Sequence, residues 1–147
     1  MKKTVRLNCF ETNSSSVHCL VMCTENEYTL LNANQALIEV NKTVVVPREI
    51  PKTKEQIENN VKRLDSWLQE NEFNLEKVHN NNSEQVLATA MALIDDGWDI
   101  TFNPWGYIDD DFETLNRFND RAENSCFDTF ESSYCEVVAF GYYGSDY

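Results

Sequence analysis

Residues 36–47, ALIEVNKTVVVP, are the stretch that decides the fold. Two apolar runs, ALIEV and TVVVP, are separated only by Asn41 and Lys42, which is the spacing of a β-hairpin. Pro47 ends the second run, because proline cannot donate a hydrogen bond to a strand ladder. The stretch therefore predicts two adjacent antiparallel strands.

Strand patterns also precede this hairpin. Residues 4–10 alternate between two faces, and residues 17–24, VHCLVMCT, are apolar on both faces, as in a buried strand. Further along, residues 98–102, WDITF, predict a short strand before a turn at Asn103-Pro104, and residues 134–143 predict a last strand.

Helical patterns occupy the middle of the chain. Thr53 predicts the start of a first helix, and Ser83 caps a second helix that ends before Gly97. The asparagines at 80–82 predict a break between these two helices. The apolar positions at helical spacing are Ile57, Val61, Leu64 and Leu68 in the first helix, and Val86, Leu87, Ala90, Met91, Leu93 and Ile94 in the second. A third helix is expected after Asp109–Asp111, carrying Phe112, Leu115, Phe118 and Ala122; residues 123–133 are polar and receive no assignment.

This order of elements predicts an α+β fold. We expect a single domain over residues 1–147, with a mostly antiparallel sheet of about five to six strands and two to three helices packed on one face. Residues 1–50 form its strand-rich, neutral half, and residues 51–147 its acidic, helix-containing half. With no apolar export segment, no run of the ~18 apolar residues that a membrane span needs, and five scattered cysteines, we expect a cytoplasmic protein with reduced thiols.

The net charge of −13 is confined to the second half of the chain. Residues 1–60 carry seven positive and seven negative side chains, whereas residues 61–147 carry five positive and eighteen negative ones. Direct nucleic-acid binding is therefore not expected, because phosphates would be repelled. A basic protein surface is the expected partner, since opposite charges speed association. The alternative is that the charge serves solubility alone.

The carboxylates of the second half differ in what explains them. Asp109–Asp111 precede a predicted helix, where the helix dipole favours negative charge. Asp95 and Asp96 instead end a helix, where the dipole disfavours it, and Asp99 follows two residues after Gly97. A local rule that is broken without visible compensation indicates function or strain.

Aromatic residues cluster in the same region, since thirteen of the seventeen Phe, Trp and Tyr residues lie in the last fifty positions. Phe112 and Phe118 have helical spacing and are expected in the core. Rings beside carboxylates suit a protein-binding surface, although a small core filled with rings is an equal alternative. The predicted partner-binding residues are Asp95, Asp96, Asp99, Trp105, Tyr107, Asp109, Asp110, Asp111 and Glu113.

Residues 9–19, CFETNSSSVHC, form a polar stretch between two apolar runs. Ser16 and His18 would face one way on an extended chain, but no glycine-bearing turn offers an oxyanion hole or closes on a phosphate, and no lysine follows. We expect mainly a self-bonded loop. The alternative function is binding of a nucleotide or small molecule, with or without catalysis, by a ligand loop of Glu11, Thr12, Asn13, Ser14, Ser15, Ser16 and His18.

No metal site or cofactor is predicted. His18, Cys19 and Cys23 lie close in sequence, but Cys19 and Cys23 would be ~13 Å apart on a straight strand and could not share one zinc ion. His79 lies beside the asparagine run, and we expect it to be exposed. We therefore expect the cysteines to act as small apolar residues.

The stretch from Phe10 to His18, FETNSSSVH, resembles a signature near the start of small phage and mobile-element proteins of Gram-positive bacteria, most of them without an assigned function. The resemblance covers roughly the first twenty residues. It implies an accessory protein in the cytoplasm of a host bacterial cell. Small acidic accessory proteins of this class include inhibitors of host defence, such as anti-CRISPR proteins that occupy the basic nucleic-acid channel of a Cas effector. The resemblance thus implies a non-enzymatic inhibitor of a host defence nuclease.

Overall fold

The computed structural model describes residues 16–109, 111–120, 125–131 and 136–145. In chain order these form β1 (Ser16–Thr24), α1 (Glu25–Asn32), β2 (Leu37–Glu39), β3 (Thr43–Val45), α2 (Lys54–Glu70), α3 (Leu75–Asn81), α4 (Glu84–Asp95), β4 (Phe112–Glu113), α5 (Leu115–Asp120), β5 (Ser125–Glu131) and β6 (Glu136–Ser145). The strands form two antiparallel sheets, with the orders β1-β6-β5 and β3-β2-β4. The protein is α+β, as predicted, but its described part has five helices in place of two to three, and two sheets in place of one.

The hairpin predicted at residues 36–47 is confirmed as β2 and β3. Leu37 pairs with Val45 and Glu39 with Thr43, so the connection contains Asn41 and Lys42. Lys42 has φ of 67°, and its N–H donates to the carbonyl of Glu39 at 2.7 Å. The short loop therefore fixes the register of the hairpin.

The small sheet β3-β2-β4 lies between two apolar clusters. Leu37 packs in the cluster that contains the buried faces of α2 and α4, whereas its neighbour Ile38 packs in the cluster of β1, β6, α1 and α5. Successive side chains of a strand point to opposite faces, so both faces of β2 are covered. This explains why the hairpin is apolar without alternation.

Helices α2 and α4 begin where their sequences predict, and α4 also ends before Gly97 as predicted, whereas α2 ends at Glu70, before the predicted break at 80–82. The Thr53 hydroxyl accepts from the N–H of Gln56 at 3.1 Å, and the Ser83 hydroxyl accepts from the N–H of Val86 at 3.3 Å. Gly97 follows α4 with φ of 101°. Val61, Leu64 and Leu68 of α2 are buried, as is every residue of α4 from Val86 to Leu93. The predicted apolar faces are therefore confirmed.

Helices α1 and α3 are additions to the sequence prediction. Thr24 and Glu27 form a reciprocal capping box at the start of α1. Asn74 caps α3, whose last residue, Asn81, falls within the asparagine run that predicted only a break. Because asparagine favours turns and caps, a short helix that ends in asparagines has a weak sequence pattern.

Three predicted elements of the second half differ from the structure. Residues 98–102 form no strand and contribute only a single bridge between Phe102 and Ile108. The third helix begins at Leu115, because Phe112 and Glu113 instead pair with β2 as β4. Asp109 and Asp111 therefore do not lie at a helix start, and the dipole explanation for these two residues is wrong.

The strands of the larger sheet partly confirm the strands predicted near the two ends of the chain. β1 covers the predicted strand at 17–24, but Met22 is 48% exposed, so the strand is not buried on both faces. β6 confirms the last strand, and β5 occupies the polar stretch that had no assignment. The predicted strand at residues 4–10 lies outside the described residues.

Candidate partner-binding surface

Residues 98–112 fold back on themselves and form what we call the arm. The Asp109 N–H donates to the carbonyl of Thr101 at 2.9 Å, and the Asn103 N–H donates to the carbonyl of Tyr107 at 2.8 Å. Both contacts belong to one antiparallel register. The arm therefore has two limbs, a tip around residue 105 and a base where residues 98 and 112 meet.

The base of the arm exposes an indole among carboxylates. The Trp98 ring packs edge-on against Phe112, with 5.9 Å between centroids and an interplanar angle of 82°, yet the residue stays 38% exposed. Phe112 itself is buried in the cluster of α2 and α4. Asp99 follows Trp98 and Asp111 precedes Phe112 in the chain, and both carboxylates are exposed. Both chain positions adjoin the Trp98–Phe112 contact, so the two carboxylates add negative charge to this part of the surface and favour a cationic partner.

Apolar side chains extend this patch to both sides. The Val40 N–H donates to the carbonyl of Asp111 at 2.8 Å, and Val40 is 51% exposed. Val46, Asp96 and Trp98 line an open depression of about 470 Å³. We call the set Val40, Val46, Asp96, Trp98, Asp99 and Asp111 the Trp98 surface. It combines an aromatic anchor with a charged rim, which is typical of protein interfaces.

The structure supplies the compensation for Asp95 and Asp96 that the sequence does not show. Asp95 forms an ion pair with Arg63 of α2. Asp96 accepts from the N–H of Arg48 at 2.8 Å. These two tertiary contacts explain why carboxylates occur at the end of α4. The contacts also join helix α2 and the segment after β3 to that end.

The tip of the arm is tightly held and presents Trp105. The Asn103 amide oxygen accepts from the N–H groups of Trp105 and Tyr107, at 3.0 and 3.1 Å. From α3 and its cap, Asn81 donates to the carbonyl of Trp105 at 2.5 Å, and Asn82 donates to that of Gly106 at 2.7 Å. Trp105 is nevertheless 67% exposed. An ordered loop with an exposed indole suits recognition, but it lies at the opposite end of the arm from Trp98.

Two other predicted site residues take part in contacts within the protein. The Arg117 guanidinium lies 4.6 Å from the ring centroid of Tyr107 and also donates to the carbonyl of Ile108 at 3.1 Å. Asp109 accepts from the Thr101 hydroxyl at 3.3 Å. These contacts hold the arm together, so a structural role accounts for Tyr107 and Asp109.

The predicted partner-binding set is thus only partly brought together. Asp96 lines the same depression as Trp98. Asp99 is the next residue in the chain after Trp98, and Asp111 precedes Phe112, which the Trp98 ring contacts. Asp110 lies outside the described residues. Glu113 lines a small cleft of about 220 Å³ with Lys42 and Arg117, and Val40 of the Trp98 surface lines this cleft as well. Sequence reasoning did not place Trp98, Val40 or Val46 in the site. The available signal was Trp98 itself, a large aromatic directly after the Gly97 helix end.

A deeper cleft of about 380 Å³ adjoins the Trp98 surface. It lies between α2, the end of α4 and the segment that follows β3. The lining residues are Arg48, Glu49, Ile50, Pro51, Gln56, Asn60, Arg63, Ala92, Asp95 and Asp96. Its volume falls in the range of ligand and side-chain pockets.

The predicted ligand loop falls mostly outside the described residues, which exclude residues 11–15. The backbones of Ser16 and His18 belong to β1, where they pair with Ser145 and Tyr143 of β6. Nucleotide binding by this loop stays a prediction. Its measurement is a thermal-shift screen with nucleotides, in which the absence of any stabilisation would count against the loop.

His79 is more engaged than its sequence neighbours predict. Its ring Nε2 lies 2.6 Å from a carboxylate oxygen of Asp65, and the side chain is only partly exposed. The contact joins α3 to α2. The prediction of an exposed histidine is therefore wrong in part, and the residue has a structural explanation.

Cys23 has no reactive character. Burial, and next the nearby Glu27 carboxylate, raise the pKa of its thiol to about 11. The thiol is therefore protonated at neutral pH and is a poor nucleophile. Over the described residues, no three His, Cys, Asp or Glu side chains are grouped so that they could hold a metal ion. No described helix is long and apolar enough to cross a membrane.

Comparisons of the chain with known protein families, with curated proteins and with solved structures found no match. The site must therefore be interpreted from its own geometry.

Proposed function

We propose that the protein is a non-enzymatic inhibitor that binds a basic surface of another protein through the Trp98 surface. The target class that we propose is a nucleic-acid-binding defence nuclease of the host bacterium, such as a Cas effector. The observation that carries the proposal is the exposed Trp98 indole, which lines one depression with Asp96 and is followed in the chain by the exposed Asp99. The protein would occupy the surface that the nuclease offers to nucleic acid.

Energetic considerations assign different roles to the ring and the charges. A large aromatic at the centre of an interface supplies much of the affinity, whereas rim charges mainly raise the association rate and its salt dependence. The net charge of −13 provides the long-range attraction to a basic target. Inhibition by occupation needs no catalytic group in the inhibitor.

The test measures binding of the full chain to a panel of purified Cas effectors at several salt concentrations. For a target that binds, Trp98→Ala should weaken affinity by about 30-fold or more, as expected for a hot-spot aromatic. Asp99→Asn with Asp111→Asn should slow association several-fold at low salt and change little at high salt.

The matched control removes two charges elsewhere. Glu58→Gln with Glu70→Gln alters two exposed positions of α2 that do not belong to the Trp98 surface. We expect this variant to bind nearly as tightly as the parent chain. If the control and the Asp99/Asp111 variant behave alike, only net charge matters and the assignment of the surface is wrong. Binding that is insensitive to both Trp98→Ala and salt would contradict the proposal.

A further inference from the structure

The two depressions around Asp96 adjoin each other. The cleft of about 380 Å³ and the open depression of about 470 Å³ share Arg48 and Asp96 in their linings. The combined feature, which we call the α4 groove, runs from Gln56 and Asn60 of α2, past the end of α4, to Trp98. Two adjoining depressions can accommodate more than one side chain of a partner.

The wall of the groove offers unused backbone groups. Within the described chain, Glu49 and Ile50 make no backbone hydrogen bond, although the N–H of Arg48 before them and the carbonyl of Pro51 after them are both engaged. Exposed backbone donors and acceptors along a concave wall favour an extended polypeptide, which can bond to them through its own main chain.

The charges of the groove select the side chains of that polypeptide. Glu49, Asp95 and Asp96 line it, and Asp99 follows at its outer end, whereas Arg48 and Arg63 are its only cations among the described lining residues. Arg63 is already paired with Asp95. The remaining balance is negative, so a cationic side chain is favoured over an anionic one.

We propose that the α4 groove binds an extended segment of the partner. An Arg or Lys of this segment enters the cleft of about 380 Å³, which we call the inner cleft, and a neighbouring apolar residue packs on Trp98. This inference rests on the proposed function and names the kind of segment that the surface recognises. The segment would run along residues 48–50, opposite the end of α4.

The experiment uses the full chain and labelled peptides of about eight residues with alternating Arg/Val, Glu/Val or Ser/Val sequences, since alternate side chains of an extended peptide face the groove. Binding is followed by the indole N–H signals of Trp67, Trp98 and Trp105 in ¹⁵N NMR spectra. The Arg/Val peptide should shift the Trp98 signal and leave the other two in place. No shift of Trp98, or an equal shift with the Glu/Val peptide, would overturn the inference.

Two variants test the inner cleft without touching Trp98. Ala92→Met fills the cleft from α4 and should weaken the Arg/Val peptide by about 5-fold or more, because buried contacts at a pocket dominate affinity. Arg48→Ala removes an opposing charge at the rim and should tighten the same peptide about 3-fold at low salt. Gln69→Met, on the opposite face of α2 from Asn60, is the control and should change nothing.

The outcomes separate this inference from the proposed function. If Trp98→Ala abolishes target binding while Ala92→Met does not, the Trp98 surface stands and the groove inference is wrong. If Arg48→Ala weakens the Arg/Val peptide, the groove prefers an anionic segment and the inference is likewise wrong. Unchanged Trp67 and Trp105 signals in each variant establish that the fold is intact.

Discussion

Replacing Gly106 by alanine tests the packing of the arm on α3. Gly106 has φ of 92°, and a Cβ added there would lie 2.5 Å from the carbonyl carbon of Lys77 and 2.8 Å from the nitrogen of Val78. These are backbone atoms of α3, so a side-chain rotation cannot relieve the contact. The tip of the arm must move away from the helix, and the hydrogen bonds from Asn81 and Asn82 to it must weaken.

The expected loss follows from two separate costs. A positive φ costs a non-glycine residue about 1 kcal/mol. Overpacking against a fixed backbone adds about 1–3 kcal/mol, part of which is the loss of hydrogen bonds worth about 1 kcal/mol each. We therefore expect Gly106→Ala to lower the free energy of unfolding by about 3 kcal/mol.

Gly97→Ala is the matched control, because Gly97 also has a positive φ, of 101°, but an added Cβ would meet nothing within 4 Å. This variant should lose only about 1 kcal/mol. Urea unfolding measures both, and with a slope of about 2 kcal/mol per M the midpoints should fall by about 1.5 M and 0.5 M. Equal losses for the two variants would refute the close approach of the arm to α3.

Three further predictions concern single contacts. The raised pKa of Cys23, about 11 against 9.0 in an exposed thiol, means that the folded chain holds this proton more tightly than the unfolded chain. The free energy of unfolding of the parent chain should therefore exceed that of Cys23→Ala by a constant amount below pH 9. This difference should shrink by about 2–3 kcal/mol as the pH rises to about 11, as measured by urea unfolding. A difference that does not change with pH would show that the thiol is not buried. Asp99→Asn should leave the free energy of unfolding within about 0.5 kcal/mol of the parent value, because Asp99 is exposed, and a larger loss would give this carboxylate a structural role. Asn82→Ala removes the hydrogen bonds that the Asn82 side chain donates to the carbonyls of Val78 and Gly106. It should lower the free energy of unfolding by about 1–2 kcal/mol in the same assay, whereas an unchanged value would mean that the arm does not need this contact.

The elements that the sequence predicted well are those with local causes. Thr53 and Ser83 cap α2 and α4 through contacts three residues away, and Gly97 ends α4 by its own backbone conformation. The hairpin is likewise specified by its short connection, which is Val40, Asn41 and Lys42. Such contacts need no knowledge of the rest of the fold.

The elements that the sequence missed depend on distant partners. Phe112 lies in a strand and not in a helix because it pairs with β2 and covers the cluster beneath α4, some seventy residues away in the chain from its partner Glu39. Asp95 and Asp96 look uncompensated until Arg63 and the backbone of Arg48 are brought to them. Tertiary contacts of this kind have no periodic pattern.

The candidate site shows the same division. The acidic character of the second half is a matter of composition, and the expectation of carboxylates beside aromatics needed only the sequence. Which carboxylates lie near which ring depends on the fold of the arm, which packs Trp98 against Phe112 and so brings the chain positions of Asp99 and Asp111 to the same end of the arm. Trp98 could therefore be named as an aromatic, but its central position could not be derived.

The position of β2 between two apolar clusters has a consequence for how the protein unfolds and varies. Leu37 and Ile38 are consecutive, yet each completes a different core. A slip of one residue would exchange them and leave both cores mismatched, so the two cores hold a single strand in register together. Neither core can lose its packing without affecting the other. The stability of the helical layer that carries the α4 groove is therefore coupled to that of the larger sheet. Substitutions in the larger sheet should consequently affect the binding surface through cooperativity, although the described lining residues of the groove all belong to other elements.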